Sequence, residues 1–100
     1  MEMTAKSKAI VINDKDNVAT AIAPMKAGAS VSLEIQGKGE KVKLLAEIPM
    51  GHKFALRDIE AGADVVKYGE SIGKTTARIP RGDHVHVHNV VSHRGRKEGA

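Results

Sequence analysis

The sequence predicts a mostly-β domain of short strands with recurrent glycine corners and little helix. Three observations predict it. Apolar residues come in short alternating runs bounded by Gly, Pro, Asn or Asp. No window of about a dozen residues carries a capped 3.6-residue period. Four segments also repeat the form apolar-x-x-Gly-x-x-apolar. The 100 residues are 41% hydrophobic but include one Phe, one Tyr and no Trp, so the core must be built from Val, Ile, Leu and Ala. A chain of this size holds one core, near the lower end of comfortable stability. One domain over 1–100 is expected, with an ordered core at about 8–91 and a basic tail at 92–100.

The candidate strands are "KAIVIN" (8–13), "VATAIA" (18–23), "SVSLEI" (30–35), "KVKLLAEI" (41–48), "KFALRDI" (53–59), "TTARI" (75–79) and "HVHVHNV" (84–90). In the third, Val31, Leu33 and Ile35 alternate with Ser32 and Glu34, which places the apolar set on one face. "IQGKGEKV" (35–42) follows as a hairpin tip, with Gly37 and Gly39 expected to supply the positive φ. A single helical turn is plausible near "AGADVVKYG" (61–69).

The repeated corners are "MKAGASV" (25–31), "IPMGHKF" (48–54), "IEAGADV" (59–65) and "IPRGDHV" (79–85). Each Gly is expected to take a turn conformation that a β-carbon resists, while the flanking apolar residues enter the core. The glycines are 23, 11 and 20 residues apart. That irregularity argues against a solenoid and for one folded-over β domain.

The net charge of +4 invites a nucleic-acid reading. Much of the excess sits at the ends, however, in "KSK" (6–8) and "HRGRKEGA" (93–100). Stacking aromatics and a recognition helix are both missing, so no nucleic-acid partner is expected. The absence of Cys excludes disulfides and thiolate sites and leaves nitrogen or oxygen ligands for any metal. No apolar run approaches the roughly 20 residues of a membrane helix. The opening "MEMTAKSKAIVIN" also lacks the apolar region of a signal peptide, so a cytoplasmic chain without a membrane partner is expected.

Two suggestive strings carry less than they promise. "GESIGKT" (69–75) has three residues between Gly69 and Gly73, where a phosphate-binding loop needs four. "RGD" (81–83) reads more simply as one of the four corners.

The informative string is "GDHVHVHNV" (82–90), with His84, His86 and His88 at alternate positions. Continued as a strand, it puts the three imidazoles on one face, about 6.5–7 Å apart, and Val85 and Val87 on the core face. Imidazoles so spaced can share a divalent ion or an anionic ligand. His52, in the "MGHKF" corner beside Lys53, is positioned to join them, whereas His93 falls in the basic tail and receives no role. One exposed strand face provides too few groups to exclude water, so it reads as one wall of a cleft shared with another domain or subunit.

The run "IPMGHKFALRDIEAGADVVKYGESIGKTTARIPRGDHVHVHNV" (48–90) resembles the small N-terminal domain of the altronate and galactarate dehydratase family. The resemblance lies in the GHK corner, the "I-x-x-G-x-x-V-x-K-Y-G-E-x-I-G" middle and the terminal "H-V-H-x-H-N"; "DNVATAIAPMKAGASV" (16–31) is looser. It implies a compact SAF-type β-clip. It also implies a β-elimination lyase that removes water or, in the sulfolactate sulfo-lyase branch, sulfite from a small hydroxy acid. A divalent metal, iron or manganese, and a large catalytic subunit or domain are implied with it. Because the chain stops just past the HN motif, it resembles a free-standing small subunit or a domain cut at its boundary. Carried over by motif, His86 and His88 are metal ligands, His84 and Asn89 contact substrate, and His52 and Lys53 are catalytic. Tyr68 and Glu70 are expected to fix a loop. The competing expectation is a non-catalytic carbohydrate-binding or assembly module.

Overall fold

The computed structural model describes residues 8–92. Nine short strands run in the order β1 Ala9–Ile10, β2 Val18–Ala21, β3 Ser30–Ile35, β4 Lys38–Lys43, β5 Lys53–Ala55, β6 Asp64–Lys67, β7 Glu70–Thr75, β8 His84–Val85 and β9 Val90–Ser92. All pairings are antiparallel, and there is no helix among the described residues. None of these residues therefore forms a helix long and apolar enough to cross a membrane. Residues 93–100 of the expected basic tail, His93 included, lie outside the described residues.

A central sheet, β1-β2-β5-β8, separates two small cores. Paired residues point to the same side, so Ala9, Ala19, Ala21 and Phe54 share one face while Val18, Ala55 and Val85 share the other. The β3-β4 hairpin covers the first face with Val31, Leu33, Ile35 and Val42. The β6-β7-β9 sheet covers the second with Val65, backed by Ile72 and Val90. Burying both faces lets a chain with one Phe fill two thin cores with aliphatic side chains.

The four glycine corners turn out to work in pairs. Met25 and Ile48 exchange backbone hydrogen bonds of 2.9 Å, and Ile59 and Ile79 exchange bonds of 2.8 Å. Gly28 N–H donates to Leu44 O and Gly62 N–H to Thr75 O; Gly51 N–H donates to Ala21 O and Gly82 N–H to Ala55 O. The four corner glycines have φ between 79° and 88°, the left-handed region where a β-carbon is strained. The chain is thus a structural duplication, β2 to β5 and β5 to β8, with β5 shared.

The strands are shorter than the apolar runs suggest, because each corner takes up several of their residues. "KVKLLAEI" ends as a strand at Lys43, "KFALRDI" ends at Ala55, and in "TTARI" only Thr75 lies in a strand while Ile79 makes a bridge. The expected helical turn at 61–69 is instead a corner followed by β6. "GESIGKT" is strand β7 with its flanking turn residue, not a phosphate loop. At the first hairpin tip the positive φ falls on Gln36 (53°) and Gly37 (80°), not on Gly39, which belongs to β4. Tyr68 (58°) and Gly69 (77°) repeat this turn between β6 and β7. Two consecutive positive-φ residues are what a tight hairpin requires. Asp16, 5% exposed, ties that second tip to the chain before β2, its Oδ1 accepting from Gly69 N–H at 2.8 Å and its Oδ2 from Asn13 N–H at 3.1 Å.

Candidate functional site

Strand β8 is the edge of the central sheet, and its outward polar groups are closed by side chains. Asp83 Oδ1 accepts from His84 N–H at 2.8 Å, and Asn89 Nδ2 donates to His84 O at 2.8 Å. Asn89 Oδ1 accepts from His86 N–H at 2.9 Å, and Asn89 N–H donates to His86 O at 3.1 Å. These four bonds end the strand after Val85 and fold residues 86–89 into a turn that returns as β9. The expected continuous strand over 84–90 is therefore corrected. Val85 enters the core as anticipated, but Val87 sits at the turn apex with 82% of its surface exposed.

The turn brings the histidines closer together than a strand would. The second corner, bent at Gly51, projects His52 from the neighbouring strand. His52 Nδ1 lies 2.9 Å from His84 Nε2. His86 stacks on His52 with ring centroids 3.9 Å apart and planes 11° from parallel. One ring nitrogen from each of His52, His84 and His86 falls within 4.8 Å of the others, an arrangement that can hold a metal ion. His88 flanks this trio, its ring 5.1 Å from that of His84 and tilted by 34°.

The surroundings favour the neutral form of His84 and His86. Partial burial, then the neighbouring His88, His52 and His86, lower the pKa of His84 against a small opposing pull from Asp83. Partial burial also lowers that of His86, helped by His52, Lys53 and His88. Neutral imidazoles keep a free lone pair, which ligation and proton abstraction both need. Lys53 points to the other side of the sheet, in register with Val85, and its pKa is lowered by burial and then by Lys67. It lines a groove of about 230 Å³ together with Val65, Ile72, Val85, His86, Val87, Val90 and Ser92.

The structure thus gathers His52, His84, His86 and His88 into one cluster and sets Lys53 behind it, against His86. Asn89 adjoins the cluster with both side-chain polar atoms engaged by the backbone. Tyr68 and Glu70 lie at the β6-β7 turn. Sequence reading missed Asp83, which holds the His84 backbone; its place immediately before the histidine run was the available signal.

The chain matches the Altronate/galactarate dehydratase SAF domain over residues 7–93. It is 48% identical over 81 residues to an altronate dehydratase of Escherichia coli (strain K12), a match covering 81% of this chain and 16% of that protein. It is 37% identical over 84 residues to the galactarate dehydratase (L-threo-forming) of the same organism, covering 82% of this chain and 15% of the relative. With the (2R)-sulfolactate sulfo-lyase subunit alpha of Paracoccus pantotrophus it shares 49% identity over 49 residues, 49% of this chain and 73% of that subunit. The chain therefore spans only a small part of the dehydratases it matches. By sequence, and with the small β architecture described above, it belongs to the altronate/galactarate dehydratase SAF domain family.

Proposed function

We propose that this domain is the small component of a lyase that eliminates water, or sulfite, from a hydroxylated or sulfonated carboxylate. It forms one wall of an active site that a larger domain or subunit completes. The observation that supports this reading best is the convergence of His52, His84 and His86 from two corners on one point. The relatives are dehydratases and a sulfo-lyase subunit, so elimination is the chemistry the site is asked to serve.

The donor set fits a divalent metal. Two nitrogens held about 2.1 Å from one ion are about 3.0 Å apart at a right angle and about 3.4 Å apart at the tetrahedral angle. His52 Nδ1 and His84 Nε2 share a hydrogen bond of 2.9 Å, so one of them carries a proton that an ion would displace. The spacing itself is close to the right-angle value, and His86 would supply the third nitrogen. Of iron and manganese, an all-imidazole set favours iron, because manganese prefers oxygen ligands. A bound ion would act as a Lewis acid on the carboxylate whose α proton is removed.

The chain's own groups have separable parts in this reading. His52, His84 and His86 hold the ion; His88, beside the trio and outside it, carries a proton to or from the reacting carbons or the leaving group. Lys53, behind His86 on the other side of the sheet, adds positive potential next to the cluster. Asn89 fixes the turn that aims the rings. With one open wall, the isolated chain is inactive, since water reaches every group in it.

The test is purification of the chain from its native host, with metal analysis and assays of altronate and galactarate dehydration and of sulfolactate desulfonation. A stoichiometric large lyase-like chain carrying iron or manganese, active on one of these acids, supports the reading. A chain that emerges alone and metal-free contradicts it and favours a carbohydrate-binding module.

A further inference from the structure

The groove behind the histidines has walls unlike those of a sugar-acid site. Its floor is Val65, Ile72, Val85 and Val90, and its rim carries Lys53, His86 and Val87. A register shift in the β6-β7 pairing leaves Ile72 without a partner across the ladder, and its side chain lines the groove. At about 230 Å³ it lies below the roughly 300–1,000 Å³ usual for metabolite pockets. Among the lining side chains only Lys53, His86 and Ser92 could hydrogen-bond a polyhydroxylated acid, so most of its hydroxyls would lose their hydration against apolar walls. A single protruding apolar side chain would fill the groove at no such cost.

Two lysines stand on the groove side of the sheets. Lys53 lines the groove, Lys67 lies two residues along β6 from the groove residue Val65 and opposite Glu70 in the ladder, and neither lysine forms an ion pair among the described residues. Val87 stands exposed where the groove meets the histidine cluster, so whatever covers that cluster reaches the groove as well. We infer that the groove is the docking socket for the large lyase component, receiving from it one apolar side chain flanked by a carboxylate that pairs with Lys53 and Lys67. The inference rests on the shared-cleft reading above and adds where the partner docks and by what chemistry. Apolar anchors in small pockets commonly dominate such interfaces, and a flanking charge pair sets orientation.

The experiment supplies this domain and the large lyase component as separate chains and measures their Kd by calorimetry, for wild type, Lys67→Glu and Ile72→Ala. Melting curves and cobalt(II) binding confirm that each variant is folded with its histidines intact. Methyl resonances of Val65, Ile72 and Val90 are followed in the labelled wild-type domain. The socket predicts at least a tenfold rise in Kd for Lys67→Glu, a rise for Ile72→Ala, and shifted groove methyls on binding. Lys67→Glu changes no core contact, so it remains decisive if Ile72→Ala unfolds. A Kd unchanged within twofold in folded variants, or unshifted methyls, overturns the socket while leaving the shared cleft standing. Failure of the wild-type domain to bind the large chain overturns both.

Discussion

His52 Nδ1 and His84 Nε2 lie 2.9 Å apart although 32 residues separate them in the chain. The duplicated backbone explains how they meet. Gly51 and Gly82 are equivalent corners, so His52 corresponds to Asp83 and Lys53 to His84. Strand β5 leaves one corner and β8 the other, and their antiparallel register, Lys53 opposite Val85, sets His52 opposite His86 and diagonal to His84. A repeated fold has thus been given different side chains at equivalent positions, and the candidate site sits where the two halves join.

Asn89 is expected to matter for ligation although it need not touch a ligand. Its amide holds His84 O and His86 N–H, so it fixes the turn from which His86 stacks on His52. Asn89→Ala should weaken metal binding about 10–100-fold, the range found for groups that orient ligands. It should also cost about 1–3 kcal/mol of stability through the unmet backbone groups. Asn89→Asp keeps the acceptor for His86 N–H and loses the donor to His84 O, and should fall between. Calorimetric titration with cobalt(II), paired with urea denaturation, separates the two effects.

The metal-free domain should lose stability as pH falls below about 6.5, the ordinary histidine value. His84 and His86 have lowered pKa values in the folded state, through burial and through the facing His52, His88 and Lys53, with Asp83 opposing at His84. Below 6.5 the unfolded chain takes up protons that the folded chain still refuses, and by linkage acidification then favours unfolding. The loss continues until the pH passes the lowered folded values. Urea denaturation at pH 7.5 and 5.0 checks this: the drop should be clear in wild type and smaller in the His84→Gln, His86→Gln double variant. An equal drop in both would assign it to other groups.

Gly73→Ala should damage the fold and the site together. A β-carbon at Gly73 would run into Val91 O, and would lie 2.9 Å from Val90 Cγ1 and 3.1 Å from Ser92 Cα. Strand β9 would have to move off β7, taking with it the end of the histidine turn. Overpacking of this kind costs about 1–3 kcal/mol where the neighbours can shift, and backbone yields less readily than a side chain. Chemical denaturation should show a loss of at least that size, with weakened cobalt(II) binding in the fraction that remains folded.

Much of this architecture is legible in the sequence, for identifiable physical reasons. The alternation in "SVSLEI" gives β3 residue for residue, because one face is buried and the other solvated. The four corner glycines are visible because only glycine adopts their φ without strain. Their pairing is not visible, since it depends on contacts between corners far apart in sequence. Strands β6 and β7 are obscured because β7 carries Gly73, placed there for a close strand crossing, and their tip uses Tyr68 at positive φ. The histidine cluster is legible as a set of residue types. Its geometry is not, because Asn89 and Asp83 close the strand edge with side-chain bonds that no alternation pattern encodes.

In the proposed site His52, His84 and His86 hold one divalent ion. The most direct measurement is the visible absorption of cobalt(II) titrated into the chain, for wild type, His52→Ala and His88→Ala. Ligand-field bands should saturate at one ion per chain in wild type, be lost in His52→Ala and persist in His88→Ala. Absence of bands in wild type, or bands indifferent to His52→Ala, would contradict it.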